Sequence, residues 1–384
     1  MEKNKPAVYK KKYSFNNFYS RFENLENQED RIVNILQSAI NDSKYIQYQN
    51  VLKSALEDLL SEPSEGNDKF VVTPYIASEV LFLADDLVPR YIYHRYRYDV
   101  YPIKRIIDDY PPYMQIEPSS ICNYRCIFCY QTDTSFSNAK SGFMGAMDVE
   151  LFKQIIDKIE NKVDFISLAS RGEPLACKGV DKMLEYTVGK FLGLKINTNA
   201  SLLTEKMAHA ILSSGISTVV YSADAADDEM YSKFRVNGVL SKVVANIEQF
   251  NKIRATQYPD SKIITRVSGV KVSEEQDMEK MTSFWKDNVD QVAFVKYNPW
   301  ENVYESPVND IVEPCSDLWR RMFVWYDGLC NPCDTDYKST LQVGNVKEKS
   351  VTEIWRSAKY EGLRKSHNSQ KRGMVEPCKK CKVT

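Results

Sequence analysis

The sequence predicts an α/β chain: a partial (β/α)6 barrel, with a helical extension before it and a cysteine-rich segment after it. Three observations predict this. Between residues 111 and 300, short apolar runs alternate with helix-spaced patterns, as parallel strands with outer helices require. Residues 1–110 show helical spacing and few strand patterns. From about 301 the alternation stops, and five of the nine cysteines follow, at 315, 330, 333, 378 and 381.

In residues 1–110, the Met1–Ser14 stretch carries Lys3, Lys5, Lys10, Lys11 and Lys12 with no apolar run behind them, unlike a signal peptide. Ile32, Ile35, Leu36, Ala39 and Ile40 recur at helical spacing, as do Leu52, Ala55, Leu56, Leu59 and Leu60. Pro63 and the Ser64–Asp68 run close that second helix. The Arg90–Tyr101 segment is dense in tyrosine and arginine. Such a segment can stack on nucleobases. A net charge of −1 favours the other reading, tyrosines packing a helical cap with solvated guanidiniums.

In residues 111–300 the expected strands are Tyr113–Glu117, Val163–Ala169, Leu194–Asn197, Ser217–Ser222, Lys262–Ser268 and Gln291–Lys296. Expected helices lie near 149–161, 178–190, 204–214, 240–255 and 276–287. Six such units fit an open TIM-like barrel better than a closed eight-stranded one. Chemistry in such barrels sits at the C-terminal strand ends.

Composition narrows the function. With 384 residues and 43% hydrophobic content, the chain can build a large core and more than one domain. Lys+Arg (51) and Asp+Glu (52) nearly cancel, which argues against nucleic acid or an anionic membrane as partner. No segment is long and apolar enough to span a bilayer, so a cytoplasmic protein is expected. Nine cysteines without an export signal indicate metal binding or catalysis rather than disulfides. The three histidines (His94, His209, His367) are scattered, which weakens zinc-hydrolase and protease readings.

Cys122, Cys126 and Cys129 directly follow the first strand at C-x₃-C-x₂-C spacing. Three thiolates can hold three irons of a cubane [4Fe–4S] cluster and leave the fourth open. A structural zinc site needs a fourth ligand, and none is nearby. With Asn123 after the first cysteine and Phe128 before the last, the motif resembles that of the radical S-adenosylmethionine (radical SAM) enzymes. After the second strand, Ser170-Arg171-Gly172-Glu173-Pro174 is similar to the family's Gly-Gly-Glu-Pro, with Arg171 in place of the first glycine. Asn197-Thr198-Asn199-Ala200 is similar to its Thr-Asn-Gly.

The resemblance implies a radical [4Fe–4S] cluster and S-adenosylmethionine as cofactors. It implies that Gly172, Glu173 and Pro174 meet the methionine ammonium. Asn197, Asn199 and Ser222, at strand tips, suit a ribose and a carboxylate. Arg235 and Arg266 are candidates for the methionine carboxylate. Phe128 packs near the adenine or shields the cluster. The plainer readings are a solvated turn at Glu173, surface arginines and a core phenylalanine.

Cys315-x₁₂-Gly328-x₄-Cys333 and Cys378-x₂-Cys381 resemble the SPASM/twitch extension of that superfamily. Leu318-Trp319, Asn331-Pro332-Cys333, Val343-Gly344-Asn345 and Glu353-Ile354-Trp355 match too. The resemblance implies one auxiliary [4Fe–4S] cluster on Cys315, Cys333, Cys378 and Cys381, and leaves Cys330 over. The rival is a zinc or rubredoxin-type site from Cys330-x₂-Cys333 and Cys378-x₂-Cys381. Radical-enzyme motifs span 111–384, dividing at about 300; residues 1–110 match nothing named.

The implied chemistry takes one electron from a flavodoxin or ferredoxin, cleaves S-adenosylmethionine to a 5′-deoxyadenosyl radical and abstracts a hydrogen atom from substrate. The leading expectation is a two-electron oxidation of a sugar, cyclitol or other small alcohol or amine. The auxiliary cluster then accepts the electron, and Asp224, Asp334 or Asp336 the proton. The alternatives are a peptide maturase (RiPP or sulfatase type), a redox-neutral epimerase with Cys330 or Cys177 as hydrogen-atom donor, and a zinc-binding interaction module.

Overall fold

Side-chain caps mark the starts of many of the helices outside the N-terminal part. In a computed structural model, residues 15–62, 68–297 and 302–384 are described. The lysine-rich start and the Pro63 break lie outside them. The chain divides into two units, Ser20–Asp108 and the remainder.

The remainder begins with strand β1 (Phe15–Ser20). The Ser20–Asp108 unit holds α1 (Gln28–Ala39), α2 (Gln49–Leu60), α3 (Pro74–Val80), α4 (Val88–Asp99) and α5 (Tyr101–Lys104). Its core takes in much of the helix-spaced set read from the sequence, with Ile32, Leu36, Leu52 and Ala55 fully buried, while Leu60 at the end of α2 is exposed. The guanidiniums expected in solvent lie inside instead. Arg97 is buried and pairs with Asp108 at 2.5 Å, and Arg95 pairs with Asp99 at 2.8 Å while lying over the Tyr75 and Tyr98 rings. The tyrosine rings exclude water around these cations, so partners from the same unit replace it.

Beyond Asp108 the elements are β2 (Tyr113–Ile116), β3 (Arg125–Cys126), α6 (Thr134–Ser137), α7 (Val149–Ile159), β4 (Phe165–Leu168), α8 (Val180–Tyr186), β5 (Gly193–Thr198) and α9 (Glu205–Leu212). Then come β6 (Thr218–Ser222), α10 (Asp228–Phe234), β7 (Arg235–Val236), α11 (Leu240–Gln257), β8 (Ile264–Lys271), α12 (Met278–Trp285) and β9 (Gln291–Lys296). Asp148, Thr204, Asp227 and Asp277 cap α7, α9, α10 and α12 with their side chains, each worth about 1 kcal/mol. The C-terminal part adds α13 (Asp317–Arg320), β10 (Arg321–Val324), β11 (Leu329–Asn331), β12 (Gly344–Asn345), α14 (Val351–Trp355) and α15 (Ala358–Asn368).

Strands β2, β4, β5, β6, β8 and β9 lie side by side in chain order, every pair parallel. That order is what repeated βα units produce, and it gives the partial barrel. No pairing joins β9 back to β2 among the described residues. β1 neighbours β9 at one side. At the other, β10 runs parallel to β2 and continues into antiparallel β11 and β12. Neither flanking strand was expected. The four residues of β10 are too few to show an alternation, and only the ladder with β2 makes them a strand. α10 and β7 were also missed, and β7 matters because it pairs Arg235 with Cys126 on β3.

Asp290 fastens the far side of the barrel. Its Oδ2 accepts from the Thr265 backbone N–H (2.8 Å), the Thr265 hydroxyl (3.0 Å) and Arg254 (2.9 Å), so it ties β8, β9 and α11 together. Asp290→Ala leaves the Arg254 charge without this carboxylate and is expected to cost about 3 kcal/mol. Thermal unfolding followed by circular dichroism checks this; an unchanged midpoint would show that the strand ladder alone holds this edge.

Candidate active site

The cysteine loop leaves the C-terminal end of β2 and turns back at β3. Cys122, Cys126 and Cys129 line one cavity of about 410 Å³. Phe128, Gly172, Glu173, Asn197, Asn199, Ser222, Asp224, Arg235 and Asp334 line the same cavity. The βα repeat explains the convergence, because each of these loops starts at the same end of a parallel sheet. Burial pushes the Cys122 thiol up to about 12, with Glu173 adding to it. Burial also raises Cys129, and raises Cys126 against the pull of Arg235.

Asn123 and Asn199 hold the loop to the tip of β5. The Asn199 amide donates to Asn123 Oδ1 at 3.0 Å and stands 4.0 Å from the Cys122 sulfur, and Asn123 donates to the Ser201 hydroxyl at 2.8 Å. Glu173 is 3% exposed and accepts from the Thr198 hydroxyl (2.6 Å), the Asn199 backbone N–H (2.7 Å) and the Leu175 backbone N–H (3.0 Å). Burial raises its carboxyl against those three donors. A carboxylate so held is a fixed acceptor for a cation.

Gly172 sits where no side chain fits. A Cβ there would meet Ser119 O at 2.5 Å and Ile121 O at 2.6 Å, both backbone atoms of the segment leading to Cys122. Ser170 takes φ +145°, a conformation that favours glycine, and its carbonyl accepts from the Tyr130 hydroxyl at 2.9 Å. Arg171, the departure from the family pattern, forms a buried fork with Glu117, through Nε to Oε2 (2.8 Å) and Nη2 to Oε1 (2.6 Å). It also donates to Tyr337 O at 2.9 Å and lies 4.2 Å from the Trp325 ring centre. The sequence reading missed Glu117; its place directly after β2, opposite an arginine at the motif, was the available signal.

Arg235 lies 2.5 Å from Asp224 Oδ2, 3.8 Å from the Cys126 sulfur and 5.8 Å from the Phe128 ring centre. Burial pushes the Asp224 carboxyl up against the pull of that guanidinium.

Besides the four cysteines expected at the auxiliary cluster, five expected site residues do not line the cavity. Arg266 lies lower on β8, where it donates twice to Gln291 Oε1 (2.9 and 2.6 Å). Pro174 opens the short turn Pro174–Ala176 behind Glu173. Cys177 is buried with its thiol against Met147 O at 3.7 Å. Cys330 is buried in β11. Asp336 accepts from Tyr304 (2.6 Å), from Thr340 through its N–H (3.1 Å) and hydroxyl (2.7 Å), and from Leu341 (2.8 Å), which makes it a loop anchor rather than a base.

In the C-terminal part, Cys378 is raised by burial and by the neighbouring Cys315 and Cys381. The Cys315 N–H donates to His367 Nδ1 at 3.1 Å. Cys333 follows β11, its carbonyl accepting from Asn331 at 2.6 Å; burial raises the Tyr360 phenol, with Cys330 and Cys333 adding to it. Cys129 and Cys381 pack against one hydrophobic cluster that contains Tyr130, Phe136 and Tyr337. Among the described residues, no three His, Cys, Asp or Glu side chains converge on a single metal ion. A cubane distributes its thiolates over separate irons, and three thiols facing one cavity fit that demand.

The radical SAM superfamily model matches residues 116–284, and an iron–sulfur cluster-binding domain model, SPASM, matches residues 315–382. The S-adenosyl-L-methionine-dependent 2-deoxy-scyllo-inosamine dehydrogenase of Niallia circulans is 24% identical over 273 residues, 70% of this chain and 91% of that protein. The structure of Streptococcus suis SuiB bound to S-adenosylmethionine aligns with a TM-score of 0.52 at 16% identity, over 88% of this chain and 83% of that one. Native anSMEcpe with bound AdoMet aligns with a TM-score of 0.51 at 17% identity, over 70% of this chain and 88% of that one. These two structural likenesses show the fold.

Gly172→Ala is expected to push the Ser119–Ile121 backbone aside and move Cys122. The expected result is a folded protein that loses at least half of its cubane iron after reconstitution. Iron analysis beside a circular dichroism spectrum checks it; full iron content would mean that the loop accommodates the methyl.

Proposed function

Since the chain belongs to the radical SAM superfamily and carries a C-terminal SPASM domain, we propose that this enzyme dehydrogenates a small alcohol- or amine-bearing substrate, a sugar or cyclitol. The superfamily membership implies a radical [4Fe–4S] cluster, S-adenosylmethionine and an auxiliary iron–sulfur cluster. Cys122, Cys126 and Cys129 would hold the first, and Cys315, Cys333, Cys378 and Cys381 the last. When bound, these groups supply a carbon radical that takes a hydrogen atom from an unactivated C–H bond, and an acceptor for the second electron. A flavodoxin or ferredoxin would supply reducing electrons.

The protein's part is positioning. Glu173, held by three donors, receives the methionine ammonium. Arg235 stands beside both Cys126 and the Phe128 ring. Asn197, Asn199 and Ser222 present short polar groups at adjacent strand tips. Asp334 is the proton acceptor, because it lines the cavity, whereas Asp224 is held by Arg235 and Asp336 lies outside.

One observation carries oxidation over epimerisation. An epimerase needs a hydrogen-atom donor facing its substrate, and Cys177 and Cys330 both lie outside the cavity. The similarity to a dehydrogenase over most of that protein's length supports the same side.

The test is anaerobic incubation of reconstituted enzyme with candidate sugars and cyclitols. The expected outcome is 5′-deoxyadenosine release with a product two mass units lighter and free of solvent deuterium. Cys330→Ala and Cys177→Ala are expected to turn over within about twofold of the parent. Deuterium from heavy water in a product of unchanged hydrogen count, lost in either variant, would sink the proposal.

A further inference from the structure

The cavity has a second end. The cysteines, Glu173 and Arg235 stand at its mouth, at the C-terminal ends of the strands. Arg321, the first residue of β10, also lines it. Arg321 is in register with Tyr113 at the start of β2, and its guanidinium lies 5.4 Å from that ring centre and 4.0 Å from Asp317. From Arg321 to the last residue of β10 is three steps along a strand, about 10 Å. Arg321 therefore enters from below.

Two more basic side chains lie in higher rows: by register, Lys195 is two residues and Arg266 four residues nearer the mouth than Arg321. Side chains two apart on a strand point to the same face. Asn197 on β5 and Ser268 on β8 line the cavity, so Lys195 and Arg266 face the same interior one layer down. Lys195 is in register with Ser167 on β4 and Thr218 on β6, which makes a polar layer around it. Arg266 and Arg321 are the charges that, after burial itself, hold the Lys195 ammonium well below its ordinary range. The three side chains thus act on one another.

We propose that Arg321, with Lys195 and Arg266 in the rows above it, forms an anion subsite at the cavity floor that takes a carboxylate or phosphate of the substrate. The proposal rests on the dehydrogenase reading for the word substrate, though the anion site itself does not depend on radical chemistry. In a low-dielectric interior a guanidinium that faces a cavity attracts an anion strongly. A guanidinium fork matches the oxygens of either anion. The same guanidiniums disfavour an ammonium at this end, so an amine, where the substrate carries one, lies away from the floor. With its anionic end seated below, the substrate presents its carbinol C–H toward the cysteine loop.

The test uses the anaerobic holoenzyme and two probes, inorganic phosphate and malonate, followed by isothermal titration calorimetry. S-Adenosylmethionine affinity is measured in parallel. Saturable binding of at least one probe is expected, weakened tenfold or more in Arg321→Gln and partly restored in Arg321→Lys, with S-adenosylmethionine affinity unchanged. Which probe binds tells phosphate from carboxylate. Absence of saturable binding for both, or equal binding by Arg321→Gln, overturns the proposal. So does a loss of S-adenosylmethionine affinity in Arg321→Gln, because Arg321 would then serve the cofactor. A parent protein that takes up no cubane and no S-adenosylmethionine, yet binds the probes, would remove the dehydrogenase reading and leave the anion site standing.

Discussion

Glu117 and Arg171 form an ion pair with almost no exposure to solvent, and the arrangement around the cavity depends on it. Glu117 is the residue after β2, and its backbone N–H donates to Val324 O at the end of β10 at 2.9 Å. Its carboxylate receives both arms of the Arg171 fork and the Arg171 backbone N–H at 3.0 Å. Arg171 extends on to Tyr337 and Trp325. Three distant stretches thereby meet: the strand that feeds the cysteines, the turn that bears Glu173, and the C-terminal segment. A buried pair of this kind adds little net stability over a hydrophobic replacement, but neither half tolerates the loss of the other.

Around that pair the loop geometry is tightly set by backbone contacts. Gln131 donates to the carbonyls of Ser120 (2.8 Å) and Arg171 (2.5 Å), joining the two sides of the motif. Gly172 lets the turn approach the Ser119–Ile121 backbone closely enough for the Glu173 N–H to reach Ile121 O at 2.9 Å. Ser170 is held in its unusual conformation between them, at a cost of about 1–3 kcal/mol. Strain of this size persists only where neighbours over-determine the backbone, and here ion pair, amide and glycine all do so.

Much of this was legible in the sequence. The six barrel strands, the five expected helices and the three-cysteine loop follow from alternation, spacing and position after a strand. What was not legible has a physical cause in each case. β1 and β10 are strands because a neighbouring ladder completes them, and four to six residues carry too little pattern to announce that. Arg266 was a candidate for the methionine carboxylate because a guanidinium fork fits one, but its fork is directed at Gln291 on the neighbouring strand. Spacing identifies which loop carries chemistry; it does not say how deep a mid-strand side chain lies. The partners of buried arginines were equally hidden, since Glu117 is 54 positions from Arg171.

The parallel pairing of β10 with β2 makes the C-terminal segment part of the barrel sheet and not an appendage. If the segment were excised at about residue 300, β2 would become a bare edge with its amides and carbonyls open to any passing strand. The strand so exposed is the one that delivers the cysteine loop. The two parts share one ladder, so removing either strips hydrogen-bond partners from the other.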